Sequence, residues 1–178
     1  MDQYHILTTV AELMELSART APKGGGWDYI VTRILTGDEL EQLAAAMREL
    51  AASPQGKPFI ARDAGNVENS AAVLLIGVNR AVPSGLNCGA CGFPTCADYQ
   101  AVYRKGPEFS GPVCAFRQLD LGIAIGSAAR TAMEHNADNR VMYSAGSAAV
   151  RAGLMDADLA VGIPLSGLGK NIYFDRGE

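Results

Sequence analysis

The sequence predicts an α+β fold, and three observations carry that expectation. Apolar residues recur at helical spacing in several segments longer than ten residues. Between them stand short β-prone runs, one of which, Ala71 to Val78 (AAVLLIGV), is apolar throughout and reads as a strand buried on both faces. Hydrophobic residues make up 48% of the 178 positions and charged residues 19%, enough apolar surface to bury a core.

The elements follow in order. Residues 3–20 read as a helix because Ile6, Leu7, Val10, Leu13, Met14 and Leu16 keep roughly helical spacing. Ala21-Pro22-Lys23-Gly24-Gly25-Gly26 breaks it. Trp27 to Leu35 is a β-prone run, and Thr36 or Asp38 can cap a helix over 38–52 with the stripe Leu40, Leu43, Met47 and Leu50. Ser53 to Pro58 reads as a loop, Ala97 to Lys105 as a short helix and Gly106 to Pro112 as another loop. Two helices follow at about 115–134 and 139–152, the second with Asp138 as N-cap. Both are rich in Gly and Ala, which let helices approach closely, so both are expected to be buried, at a subunit interface. Ala157 to Ile163 and Asn171 to Phe174 read as the last strands.

Composition narrows the function classes. The formal net charge is −4 and no run of Lys and Arg occurs, which argues against a nucleic-acid partner. The N-terminus lacks a basic stretch followed by an apolar core. The longest strongly apolar run, Leu121 to Ala129, lies between Asp120 and Arg130 and is too short to span a bilayer. A soluble, cytoplasmic protein without a membrane partner is the expectation. All four cysteines fall in one short segment, which in a reducing compartment points to metal ligands or redox groups rather than disulfides.

That segment runs Asn87-Cys88-Gly89-Ala90-Cys91-Gly92-Phe93-Pro94-Thr95-Cys96 and later Val113-Cys114, a C-x2-C-x4-C-x17-C spacing. Three close cysteines in a glycine-bearing loop can ligate three irons of a cubane, and a fourth from a following element closes the site. Gly89 and Gly92 suit the sharp turns such a loop needs, because without a Cβ they adopt positive φ and let backbone N–H groups reach sulfur. Phe93 and Val113 would keep water from the thiolates. A [4Fe–4S] cluster on Cys88, Cys91, Cys96 and Cys114 is the leading reading. Zinc more often takes two C-x2-4-C pairs, and four buried structural cysteines are the blandest alternative.

NCGACGFPTCADY with a cysteine downstream resembles the small iron–sulfur domain of Rnf-type B subunits and of the corrinoid iron–sulfur protein. That resemblance implies a [4Fe–4S] cluster on the same four positions, in an insert over 84–114. LDLGIAIGSA, DNRVMYSAG and GKNIYFDR are similar to stretches of prokaryotic proteins described as containing a ferredoxin domain. Residues 1–83 and 115–178 resemble nitroreductase-like flavoproteins: Ser17 to Lys23 followed by Trp27-Asp28-Tyr29-Ile30-Val31 matches their helix, "AP" turn and first strand, and Gly162-Ile163-Pro164 continues the parallel. This resemblance implies an α/β/α sandwich, a homodimer, and FMN as a second cofactor, with Arg19, Lys23, Lys170 and Arg176 as the cations available to its phosphate.

His5 and His135 are the only histidines; His135 reads as a helix-end residue. Asp120 reads as a local cap or ion-pair partner, and Tyr99, Tyr103 and Tyr143 as packing residues. No catalytic constellation stands out. The expected function is electron transfer with a redox protein or a small-molecule donor, an FMN-dependent oxidoreductase if flavin binds. The alternative is a redox-sensing or structural module without enzymatic activity.

Overall fold

The computed structural model describes residues 3–79 and 82–174. In chain order it contains α1 (Gln3–Thr20), β1 (Ile30–Leu35), α2 (Asp38–Ala52), α3 (Pro58–Glu68), β2 (Ala72–Val78), α4 (Cys96–Ala101), β3 (Arg104–Lys105), β4 (Ser110–Gly111), α5 (Ala115–Glu134), β5 (Asp138–Asn139), α6 (Tyr143–Arg151) and β6 (Leu159–Ser166). The main sheet is antiparallel in the order β1-β2-β6-β5, and β3-β4 form a separate small hairpin.

The central strand β2 is buried along its whole length. Its side chains alternate between faces, as the pleat requires. Leu74, Ile76 and Val78 join Val10, Met14 and Ala18 of α1 and Leu121, Ala124 and Ala128 of α5 in one core. Val73 and Leu75 join Leu43 and Met47 of α2, Ile60 and Val67 of α3 and Ala145 and Ala149 of α6 in the other. The result is the α/β/α sandwich with helices on both faces. Gly146 lets α6 lie directly on β6: a Cβ there would meet the Ala160 carbonyl oxygen at 2.1 Å.

The helices over 38–52 and 115–134 match their expected bounds, and the buried strand differs by one residue. Several expectations are corrected. Residues 58–68 form α3, started by Pro58 at its first turn, where a missing N–H is harmless. The strand expected from Trp27 starts at Ile30. Asp138 caps no helix: Asp138 and Asn139 pair with Ser166 and Leu165, and α6 begins only at Tyr143. Residues 172–174 form a 3-10 turn rather than a strand. The short helix after Cys96 ends at Ala101, because Arg104 and Lys105 pair with Gly111 and Ser110. The last strand runs on to Ser166. Of the two helices rich in small residues, α6 is buried almost throughout, whereas α5 buries one face and leaves Gly122 and Gly126 exposed. His135 stands at the C-terminal cap of α5.

Candidate metal centre

The chain leaves the end of β2, forms the cysteine loop, and returns at the start of α5. Two glycines bend the loop, Gly89 at φ 73° and Gly92 at φ 87°, and the Gly92 N–H donates to the Gly89 carbonyl at 2.9 Å. A Cβ at either position would meet nothing within 4 Å, so the backbone angle alone calls for glycine. Asn87 also has positive φ, and its side-chain oxygen accepts from the Cys96 N–H at 2.8 Å, tying the first part of the loop to the third cysteine. Thr95 and Asp98 form a reciprocal capping box that starts α4 at Cys96.

Beneath the loop, Tyr99 and Cys114 are buried together, with Cys91, Phe93, Val113 and Phe116 packed against them. The Phe93 and Tyr99 rings meet edge to face, centroids 6.1 Å apart. Phe93 and Val113 therefore lie beside the thiols. Burial pushes the Tyr99 hydroxyl up to about 12.

All four cysteines line one small cavity, together with Ser84, Asn87, Gly89 and Phe93. Exposure is graded around it: Cys88 is exposed, Cys91 and Cys96 are half-buried and Cys114 is buried. Among the described residues no three His, Cys, Asp or Glu side chains sit close enough to hold a single ion. Four cysteines lining one cavity offer the thiolate set that an iron–sulfur cluster takes. Zinc draws all its thiolates to about 2.3 Å from one centre, whereas a cubane holds each thiolate on its own iron, around a larger body. At Cys114, burial acts to raise the thiol. The backbone N–H groups of Ser84, Arg117 and Phe116 and the Ser84 hydroxyl outweigh it and hold the thiol below its usual range. These donors favour the ionised form of the buried cysteine, the form that binds iron.

A buried ion pair, Arg117–Asp120 at 2.8 Å, lies one turn into α5. The Arg117 guanidinium also donates to the carbonyls of Val82 at 3.2 Å and Gly24 at 3.4 Å, and lies 4.4 Å from the Tyr29 ring centroid. Asp120 accepts from the Gly24 N–H at 2.7 Å. One side chain therefore joins the chain leading into the cysteine loop, the helix leading out of it and the glycine turn after α1. Sequence reading found the Asp120 pairing but not Arg117. The signal was there: an Arg and an Asp three residues apart in a helix that is otherwise apolar.

The cations assigned to a flavin phosphate are placed differently. The Lys23 ammonium donates to the carbonyls of Ala18, Arg19 and Ala21 at 2.5–2.9 Å, closing the C-terminus of α1 with its side chain 5% exposed. Arg19 pairs with Asp28 at 2.8 Å and donates to the Ile30 carbonyl and the Thr32 hydroxyl. The structure brings Arg19 and Lys23 together around Asp28, where protein groups engage both. Of the glycine run, the Gly24 N–H goes to Asp120 and the Gly26 N–H to the Lys23 carbonyl. These residues do not fit a phosphate anchor. Lys170 is exposed on the loop after β6, and Arg176 lies outside the described residues.

Comparison with known proteins gives four findings. A family profile described as "Putative Fe-S cluster" matches residues 84–106. A second, described as "Uncharacterized protein containing a ferredoxin domain", matches residues 110–176. A relative from Archaeoglobus fulgidus, described as "Uncharacterized protein", is 49% identical over 166 residues, covering 93% of this chain and 89% of its own. Among solved structures, two variants of the FMN and NADPH-dependent nitroreductase NfnB derived from sphigopyxis sp. strain HMH superpose with a TM-score of 0.52 at 13% identity. They cover 90% and 91% of this chain and 78% and 79% of their own. At that identity the likeness is one of fold. No helix among the described residues is long and apolar enough to cross a membrane.

Proposed function

The chain belongs to the family of proteins described as containing a ferredoxin domain, and on that premise we propose that it is an electron-transfer protein holding one [4Fe–4S] cluster on Cys88, Cys91, Cys96 and Cys114. The observation that carries this reading is that the four cysteines line one cavity. When bound, such a cluster takes up and releases single electrons. The protein's own groups supply the rest. Residues 84–114 act as a ferredoxin-like insert in a body formed by 1–83 and 115–178. Backbone N–H groups at the start of α5 stabilise the Cys114 thiolate, Phe93 and Val113 exclude water from the inner side, and the exposed Cys88 brings the outer edge within reach of a redox partner.

We place the protein in the cytoplasm, where thiols stay reduced, as a homodimer. Large apolar side chains stand exposed on α1 (Leu16, 58%) and α5 (Leu119, 59%; Met133, 68%), a surface suited to a second copy. Iron, acid-labile sulfide, zinc and flavin analysis of protein purified without air tests the reading. We expect about four irons and four sulfides per chain and no stoichiometric zinc. Zinc in place of iron would overturn it. We also expect no stoichiometric FMN, because Arg19 and Lys23 are engaged by protein groups; bound FMN would instead favour an FMN-dependent oxidoreductase.

The exposure of Cys88 favours a second reading, a redox-sensing module whose cluster is meant to meet oxidants. Reversible electron uptake without change in iron content supports the carrier. Loss of iron on each oxidation supports the sensor.

A further inference from the structure

The four thiols share one cavity but differ in what holds them. Cys114 is buried and packed with Tyr99. Cys96 opens α4, with its N–H on the Asn87 side chain at 2.8 Å and the Thr95–Asp98 capping box beside it. Cys88 and Cys91 belong to no helix or strand, and they are the one exposed and the other half-buried. Gly89, at φ 73°, and the turn it closes with Gly92 fold the chain between and around them. We propose that Cys88 and Cys91 form a disulfide in the iron-free protein, with a low-molecular-weight disulfide as the oxidant.

Spacing, access and freedom to move select this pair. Only Gly89 and Ala90 separate the two cysteines, so closing the ring costs little loop entropy. The glycines give the backbone the latitude that disulfide geometry demands, and a Cβ on Gly89 or Gly92 would meet nothing within 4 Å, so no packed neighbour stands where the turn must adjust. A bridge from Cys88 to Cys96 would close a longer ring and pull on the first turn of α4. A bridge to Cys114 would draw a buried sulfur away from Tyr99. The exchange runs in two steps. The exposed Cys88 thiolate attacks one sulfur of the external disulfide and expels a first thiol; the Cys91 thiolate then attacks the Cys88 sulfur of that mixed disulfide and expels the second. One S–S bond breaks and one forms. The two protein thiols give up two electrons to the external disulfide, and their two protons leave on the released thiols. Sulfurs joined in this way are no longer thiolates and cannot ligate iron, so bridge and cluster exclude each other. That exclusion rests on the iron–sulfur reading; the bridge itself does not.

The test incubates the full chain, reduced and iron-free, with oxidised glutathione in the absence of oxygen. Remaining thiols are then alkylated in denaturant, and the bridge is located by fragmentation mass spectrometry. One Cys88–Cys91 disulfide per chain is expected, with Cys96 and Cys114 alkylated. Cys96→Ser should keep the bridge, whereas Cys91→Ser should stop at glutathione held on Cys88. A Cys88–Cys96 bridge, four alkylated cysteines, or glutathione retained on the unaltered chain would each overturn the assignment. A second aliquot, loaded with ferrous iron and sulfide before the same treatment and analysed for iron, should bridge at least about tenfold more slowly, because ligated sulfurs are withdrawn from exchange. Equal bridging in an aliquot that keeps its iron overturns the competition between bridge and cluster. A bridge in protein that takes up no iron when reduced supports the disulfide and overturns the cluster reading; full iron uptake with no bridge does the reverse.

Discussion

The sandwich body and the cysteine loop are built by opposite means. Every residue of β2 is buried, and two cores of aliphatic side chains pack on its faces. The loop has only Tyr99 and Cys114 fully buried, and it holds its shape through two positive-φ glycines, the Asn87 contact to Cys96 and the Thr95–Asp98 box. Hydrophobic burial stabilises the body without help; the loop, with so little to bury, depends on specific polar contacts and on ligation. The two regions should therefore respond to separate perturbations, and Arg117 is the one side chain placed to join them.

The largest expected effect breaks that separation. Arg117→Met leaves Asp120 buried without its cation and frees the Val82 and Gly24 carbonyls, at a cost of about 3–5 kcal/mol. Both the thermal midpoint and iron retention should fall, as read by calorimetry and iron analysis; loss of one alone would show that Arg117 serves a single region. Gly146→Ala should act on the body only. Its Cβ cannot fit against the Ala160 carbonyl, so α6 must shift from β6, costing about 3 kcal/mol. Iron per folded chain should stay unchanged. Gly92→Ala reverses the pattern. There is room for the methyl group, but φ 87° disfavours it by about 1–2 kcal/mol. Iron should dissociate faster under a chelator while the thermal midpoint of the body stays nearly constant.

The smallest effect concerns acid. Burial acts to raise the Asp28 carboxyl, and the hydrogen bonds from Arg19 and the Ile30 N–H, with the Arg19 and Lys23 charges, hold it below its usual value. A depressed folded pKa gives stability that is present above the unfolded value, about 3.9, and is lost as pH falls through the folded one. Asp28→Asn should therefore flatten the acid limb of stability below about pH 4. The change is expected to stay under about 1 kcal/mol, since Arg19 and Asp28 are partly exposed.

What was legible in the sequence follows the same division. Apolar residues at helical spacing located α1 and α2, the run of small and apolar residues located α5, and the unbroken apolar run located β2. The α3 helix escaped because its buried face, Ile60, Asp63, Ala64 and Val67, includes a charge and an alanine, too weak a stripe against the Pro58 break. Asp138 misled because the residue that would cap a helix instead joins the sheet edge, a pairing decided by β6 and invisible locally. At the candidate metal centre the grouping of the four cysteines and both glycine turns could be read from spacing and backbone chemistry. The Asn87 tie and the Arg117 joint could not, since each links positions whose nearness only the fold creates. The same holds for Arg19 and Lys23: as sequence they are two available cations, and in the fold Asp28 and the end of α1 occupy them.

The gradient from Cys88, in open solvent, to Cys114, sealed under Tyr99, gives the four thiols an order of accessibility. An alkylating reagent or a chelator reaches the outermost sulfur first and the innermost last. Metal loading in the reverse sense can anchor on the inner thiolate and fasten the surface sulfur at the end, so partial assembly intermediates would be distinguishable by which cysteine remains modifiable.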